Sequence, residues 1–300
     1  MKRIVVLKGG PSEEREVSLR SGAAVAKGLR EAGHDVREID VTGHEVAVPR
    51  GIDIVFIALH GTFGEDGGVQ ELLDGMGVSY TGSGAAPSRA AFDKVESKRL
   101  FVENGIPTPD YEVLHRGDER SLPLPVVVKP SRQGSSIGVH KVFEEEQWAD
   151  AFEDALRYDE DVVVEAYVEG RELTVGIVAG EALPVVEIAA PDDWYDYEAK
   201  YTKDAGTRYL VPAPIGDESS EACRALAVAA FEALGCAGFG RADFRTSEAG
   251  EHFLLEMNTI PGFTETSLLP KAAREAGMTF SELCDRIVRT ADNGEQAGDH

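Results

Sequence analysis

The chain has 300 residues, enough for two or three lobes and a sizeable interior. Its 54 Asp plus Glu against 30 Lys plus Arg give a formal charge of -24, which argues against nucleic acid or an anionic membrane as a partner. Three scattered cysteines, Cys223, Cys236 and Cys284, exclude a disulfide framework or a zinc knuckle and fit a reducing cytoplasm; the apolar run from Ile4 to Leu7 is too short for a secretory signal or a membrane span.

Ile4 to Leu7 reads as a buried strand, Gly9-Gly10-Pro11 as a turn, and Ser12 as the N-cap of a helix that runs to about Ala32 with Glu13 and Glu14 in its first turn. The glycines do not form G-x-G-x-x-G, and two glutamates there would repel a pyrophosphate, so a dinucleotide site is rejected. A carboxylate such as Glu14 suits a substrate ammonium or an internal network; compensation of the helix dipole is the competing reading. Strands at Val36 to Ile39 and Ile52 to Leu59 continue an α/β alternation. The second of these ends in His60 before a glycine-rich loop, where open parallel sheets collect ligands, and His60 is either a site residue or a loop histidine. Val69 to Met76 reads as helix, Val78 to Tyr80 as a short strand, and Gly82-Ser83-Gly84 as a joint.

From Pro87 to Asn104 the pattern is helical, with Phe92, Val95, Leu100 and Phe101 as core candidates and most of the charges Asp93, Lys94, Lys98 and Arg99 expected to face solvent. Leu124 to Val128 is an apolar strand ending in Lys129-Pro130, a poor place for an ordinarily solvated lysine. The loop from Ser131 to Gly138 then offers glycines, amides and hydroxyls to phosphate before a strand from Val139 to Val142; a hairpin turn is the alternative. It is not a Walker A loop, because G-K-[ST] is absent. Glu144 to Tyr158 is an amphipathic helix with Trp148, Phe152 and Leu156 inward. Asp161 to Glu172 gives a buried strand, an apolar link able to hold a flat base by backbone hydrogen bonds, and Glu172 for ribose hydroxyls. Trp194 to Thr207 reads as a lid or an exposed hairpin, and the helices at Glu218 to Leu234 and Thr279 to Thr290 as packing elements.

An acidic hairpin organises the C-terminal part: Gly240 to Phe244, a turn at Ser247-Glu248-Ala249-Gly250, then Phe253 to Asn258. Strict alternation sends Ala242, Phe244, Phe253, Leu255 and Met257 to a core and Arg241, Asp243, Glu256 and Asn258 to the opposite face. Asp243 and Glu256 then come within cross-strand reach, and two such carboxylates repel unless a cation lies between them. A hard ion such as Mg2+ fits, with a nucleotide triphosphate as co-ligand; a solvated strand face is the bland alternative.

Together the residues resemble the D-alanine:D-alanine ligase family of the ATP-grasp superfamily. The resemblance rests on Gly9 to Ser18, Ala58 to Gly61, Lys129 to Gly138, Tyr195 to Tyr201 and Leu255 to Thr264, which occur in family order across nearly the whole chain. It implies an α/β architecture: an N-terminal open parallel α/β (Rossmann-like, pre-ATP-grasp) domain over residues 1–92, then a two-lobed ATP-grasp fold over 93–292, divided into lobes 93–170 and 171–292, and a tail over 293–300. It implies that Lys94 and Lys129 contact ATP phosphates under the loop containing Ser135 and Ser136. Glu165, Tyr167 and Val168 would hold adenine, with Glu172 at the ribose. Asp243, Glu256 and Asn258 would hold two Mg2+, with Mn2+ as a substitute. Glu14 would orient the first D-alanine near His60, and Glu14, Ser135 and Tyr201 would fasten the segment containing Lys200 over the site. Arg241 and the Gly262 amide would steady an oxyanion, while Ser267 and Leu268 would receive the second substrate's carboxylate.

The resemblance therefore implies a cytoplasmic enzyme that joins two D-alanines with ATP for peptidoglycan synthesis, acting as a homodimer. D-lactate or D-serine as second substrate, and a catalytically silent nucleotide-binding relative, are the rivals. Members specialised for D-lactate often carry Phe where this chain has Tyr201, which favours the peptide product. Gln133 and Met257 depart from the frequent Glu and Ala of the family, which bears on loop closure and packing.

Overall fold

The computed structural model describes residues 1–189 and 206–292. The first lobe holds a parallel sheet of β1 (Arg3–Gly9), β2 (Asp35–Val41) and β3 (Ile54–Ile57) in the order β2-β1-β3. Ile4, Val5, Val6 and Leu7 are all buried because helices cover both faces of such a sheet. α1 (Arg15–Glu31) packs Val25, Ala26 and Leu29 on one side, and α2 (Gly68–Met76) packs Val69 and Leu73 on the other. The short strand expected at Val78 to Tyr80 is a single parallel bridge between Tyr80 and Val55.

The second lobe begins with α3 (Ala85–Phe92) and α4 (Lys94–Glu103), followed by β4 (Tyr111–Leu114), β5 (Val126–Pro130), β6 (His140–Val142), α5 (Glu145–Ala155) and β7 (Val162–Ala166). Its strands form an antiparallel sheet in the order β4-β7-β5-β6, on which α5 lays Ala151, Phe152 and Ala155. The third lobe contains β8 (Gly170–Val178), β9 (Glu181–Ala182), β10 (Val186–Ala189), β11 (Arg208–Leu210), α6 (Asp217–Ala233), β12 (Phe239–Ser247), β13 (His252–Asn258), α7 (Leu268–Glu275) and α8 (Phe280–Asp292). Its sheet runs β11-β10-β8-β12-β13, with β9 beside β8.

Three sequence expectations need correction. Ser12 is not the helix cap: α1 starts at Arg15 with Glu14 at its head, and the Ser12 hydroxyl donates to the His60 carbonyl at 2.6 Å. The single helix expected from Pro87 to Asn104 is broken at Asp93, whose extended backbone (φ -84, ψ 107) lets its carboxylate accept from the Val95 and Glu96 amides and cap α4. In the hairpin the faces alternate only as far as Glu256. Asp243 pairs with Glu256, but Phe244 pairs with Leu254, so Leu255 is an extra residue. This bulge turns Leu254 into the core and leaves Phe253 and Leu255 half-buried, the reverse of the expected pattern.

The first and third lobes share a core. Phe56 of β3, Phe239 at the start of β12, Phe263 beyond β13 and Phe280 of α8 form a chain of ring contacts with centroids 5.6 to 6.0 Å apart. Such pairs contribute about 0.5–1.5 kcal/mol each beyond burial. They fix residues 260–263 against β3, and with them the position of Gly262.

Candidate active site

The second and third lobes face each other across a cleft of about 880 Å3, including its open mouth. Lys94, Lys129, Ser135, Ser136, Glu165, Tyr167, Val168, Glu172, Asp243 and Glu256 line it, so most of the sequence-predicted nucleotide and metal residues meet in one place. A smaller hollow lined by Glu65, Lys94, Gly134, Glu256 and Asn258 adjoins it.

At one end, Tyr167 and Val168 form the link between β7 and β8. The Tyr167 amide donates to the Pro125 carbonyl at 3.0 Å, and the Tyr167 ring meets Phe143 edge-on at 5.2 Å. Arg245 of β12, which the sequence reading missed, braces this link. Its guanidinium donates to the Val168 and Gly170 carbonyls at 3.1 and 2.9 Å, lies 5.8 Å from the Tyr167 ring centroid, and approaches Glu172 to 3.7 Å. Only its place on β12, next to Phe244, could have hinted at this.

In the middle sits a buried charge cluster. Glu165 Oε2 lies 2.6 Å from Lys129 Nζ and Glu165 Oε1 lies 2.7 Å from Lys98 Nζ. Burial opposes ionisation of Glu165, but the charges of Lys129 and Lys98 outweigh it and hold its carboxyl below the ordinary carboxylate range. Burial pulls the Lys98 ammonium down to about 8 against the attraction of Glu165. The expectation that most of the charges on this stretch face solvent fails for Lys98, which is fully buried; Lys94 is buried too, whereas Arg99 is exposed between Glu96 and Glu103. Lys94 and Lys98 stand one helical turn apart on the buried face of α4, with Phe101. Lys94 Nζ donates to the Gln133 carbonyl at 2.7 Å and approaches Glu256 to 3.6 Å.

On β12 and β13 the register pairs Asp243 with Glu256 and Arg241 with Asn258. Arg241 forks onto Asp243 at 2.8 and 2.6 Å, Asn258 Nδ2 donates to Asp243 at 2.9 Å, and Thr174 of β8, also missed, donates to it at 2.6 Å. Among the described residues no group of three His, Cys, Asp or Glu side chains could enclose a metal alone. Two carboxylates and an amide oxygen beside a lysine-lined cleft are instead the partial set that suits Mg2+, which keeps places for water and phosphate.

The loop between β5 and β6 reaches back to the first lobe, where Ser135 Oγ donates to the Glu14 carboxylate. Ser135 and Ser136 adopt left-handed backbone (φ 50 and 59), a conformation that costs energy in non-glycine residues and needs support from its surroundings. Two glycines pack against Glu14, and the left-handed backbone of Gly61 favours glycine there. A Cβ at Gly61 (φ +72) would come within 2.8 Å of its carboxylate, and one at Gly134 within 3.0 Å.

His60 is buried, with Nδ1 2.9 Å from the Ile260 carbonyl and Nε2 2.9 Å from Ser21 Oγ. The Ser21 hydroxyl also accepts from the Phe263 amide at 3.1 Å. His60 thus braces the segment that carries Gly262. Ser267 precedes α7, its hydroxyl accepting from the Thr264 amide at 3.0 Å, and Leu268 opens that helix; Gly262 lies beside Ser267. Lys200 and Tyr201 lie outside the described residues, as does the lid segment except Gly206 and Thr207.

The family models for the D-ala D-ala ligase N-terminus and C-terminus match residues 42–83 and 100–289. A relative from Methylacidiphilum infernorum named D-alanine--D-alanine ligase is 48% identical over 289 residues, covering 96% of this chain and 94% of its own length. The crystal structure of D-alanine--D-alanine ligase from Bacillus anthracis complexed with ATP has a TM-score of 0.86 at 30% identity, covering 99% of both chains. The VanG D-Ala:D-Ser ligase from Enterococcus faecalis gives 0.85 at 28%, covering 97% of this chain and 99% of its own. The fold is thus an N-terminal Rossmann-like domain followed by a two-lobed ATP-grasp fold. On both the sequence and the structural matches, this chain belongs to the D-alanine--D-alanine ligase family of the ATP-grasp superfamily.

Proposed function

We propose that the chain joins two D-alanines to D-alanyl-D-alanine, converting ATP to ADP and phosphate, as a step toward peptidoglycan. The observation that carries this reading is convergence. Lys94 and Lys129, the Asp243–Glu256 pair, and the Glu14–Ser135 contact all border one cleft system. A carboxylate is a poor electrophile, so one D-alanine takes the terminal phosphoryl of ATP to become an acyl phosphate, which the amine of the second attacks.

In this reading Tyr167 and Val168 hold the base, Glu172 the ribose, and Lys94, Lys129 and Ser136 the phosphates. Asp243, Glu256 and Asn258 hold Mg2+, which when bound neutralises charge on the transferring phosphoryl group. Glu14 orients the ammonium of the first D-alanine. Arg241 and the Gly262 amide stabilise the oxyanion that develops as the second amine attacks. The N-terminus of α7 at Ser267 and Leu268 suits the second substrate's carboxylate. Tyr201 and Lys200 complete the closure over the site. The domain limits at residues 92 and 170, a homodimeric state and a cytoplasmic location belong to the same reading. Among the described residues no helix is long and apolar enough to cross a membrane.

The test is a substrate panel. Purified protein with ATP and Mg2+ is given D-alanine alone or with D-serine or D-lactate, and products are identified by mass spectrometry. D-alanyl-D-alanine as the principal product, with phosphate released in step, is expected. Turnover only with D-serine or D-lactate in the second position would replace the product assigned. The similarity of fold to a D-Ala:D-Ser ligase makes this discrimination a matter of the second subsite rather than of architecture.

A further inference from the structure

Lys98 is the one lysine of the buried cluster that does not line the cleft. It has 0% exposure, and its Nζ is held by Glu165 at 2.7 Å and by Thr108 Oγ1, to which it donates at 2.6 Å, with the Tyr111 ring centroid at 5.2 Å. The Thr108 hydroxyl passes the chain of bonds on to the Leu254 carbonyl at 2.8 Å, in the strand that carries Glu256. Glu165 is therefore shared by a cation sealed in the interior and a cation, Lys129, that faces the cleft.

Burying three ions is costly, and an apolar cluster of the same volume would hold α4 on β7 as well or better. Charge arithmetic supplies a reason for the ions. Lys129 paired with Glu165 alone would offer the cleft no net charge. Lys98 raises the sum for the three side chains to +1. Glu165 in turn supplies the hydrogen-bonding geometry that holds the Lys129 ammonium in place, and Lys94 adds its own charge beside Gln133 and Glu256.

We propose that Lys98 is a positioning residue for nucleotide binding: by compensating Glu165 from the buried side, it leaves the Lys129 ammonium as an effective cation toward the triphosphate. The inference rests on the reading of this cleft as an ATP site.

The experiment is calorimetric titration of the full chain with Mg2+-ATP, comparing wild type, Lys98→Met, Glu165→Gln and the double variant Lys98→Met/Glu165→Gln. A full unit charge lost a few ångströms from a phosphate site weakens binding by roughly tenfold or more. Lys98→Met is expected to show that loss, the double variant to return to within about threefold of wild type, and Glu165→Gln, with one further positive charge uncompensated, to bind roughly tenfold more tightly than wild type. A purely packing role for Lys98 predicts no such rescue. Unaltered affinity in Lys98→Met, or a double variant no better than Lys98→Met, would overturn the inference while wild-type binding keeps the ATP reading intact. Absence of ATP binding by wild type would overturn that reading and the inference with it. Should Lys98→Met not fold, the remaining variants decide. The double variant must bind roughly tenfold more weakly than Glu165→Gln, and equal affinities would overturn the inference.

Discussion

The Ser135 hydroxyl donates to the Glu14 carboxylate, tying the loop after β5 to the head of α1 across 121 positions of sequence. The bond supports two consecutive left-handed serines and joins the end of the cleft proposed to hold phosphates to the lobe proposed to receive the first amino acid. Hydrogen bonds to charged groups are worth about 1.5–3 kcal/mol. Ser135→Ala should lower kcat/KM for D-alanine by roughly 10- to 100-fold and make residues 131–138 more susceptible to protease, with little change in Tm. Unchanged kinetics and proteolysis would show that the tie has no functional weight.

Arg241 forks onto Asp243 and flanks the proposed metal pair. In the proposed function a guanidinium there would stabilise negative charge that appears only as the second amine attacks, and removal of one such donor costs about 10²- to 10³-fold in kcat. Arg241→Ala is expected to lose turnover on that scale while ATP affinity changes by less than about fivefold. Equal losses in ATP affinity and kcat would reassign Arg241 to the support of Asp243.

Arg245 braces the link between β7 and β8 through two carbonyls. Arg245→Met keeps much of the apolar stem but leaves those carbonyls without their donor. The predicted signature is a rise in KM for ATP of roughly tenfold or more with kcat largely retained, because the proposed role of the link is to hold the nucleotide and not to take part in phosphoryl transfer. A fall in kcat with KM unaltered would contradict the clamp.

The depressed Lys98 gives a pH dependence of defined sign. Burial pulls its ammonium down to about 8 in the folded chain from the ordinary lysine value of 10.5. The ATP affinity owed to its charge is full below about 8 and declines as pH rises through that value. Folding stability moves the other way. Between the two pKa values the unfolded chain binds more protons, so the contribution of Lys98 is complete above 10.5 and is lost as pH falls through about 8. Calorimetric affinity for ATP measured from about pH 7 to about pH 9.5 should fall in wild type and stay nearly flat in Lys98→Met. Identical profiles would detach the titration from Lys98.

Much of this site could be read from the chain because its parts are local. The Asp243–Glu256 pairing follows from a hairpin with a short polar turn, and Lys129 follows from an apolar strand that ends in a lysine. What escaped was set by long-range packing. Leu255 is an extra residue in β13, and period-two reasoning has no means of seeing a bulge that depends on what β12 buries. Lys98 looked like any helix-surface charge, since Glu165, which makes its burial tolerable, lies in β7. Asp93 could have been found from sequence: an acid followed by two residues and Glu96 at the head of α4 is a capping signal that the continuous apolar stripe concealed. Thr174 and Arg245 act through partners on neighbouring strands and linkers, and carry no local signature.

In the proposed function the terminal phosphate of ATP meets a D-alanine carboxylate beside Asp243, Glu256 and Asn258. Crystals grown with a non-hydrolysable ATP analogue, D-alanine and Mn2+, with data collected at the manganese edge, address it directly. Anomalous peaks within coordination distance of those three side chains, bridging to the phosphates above Lys94 and Lys129, are predicted. Manganese and phosphates bound elsewhere, with that face left bare, would contradict the account.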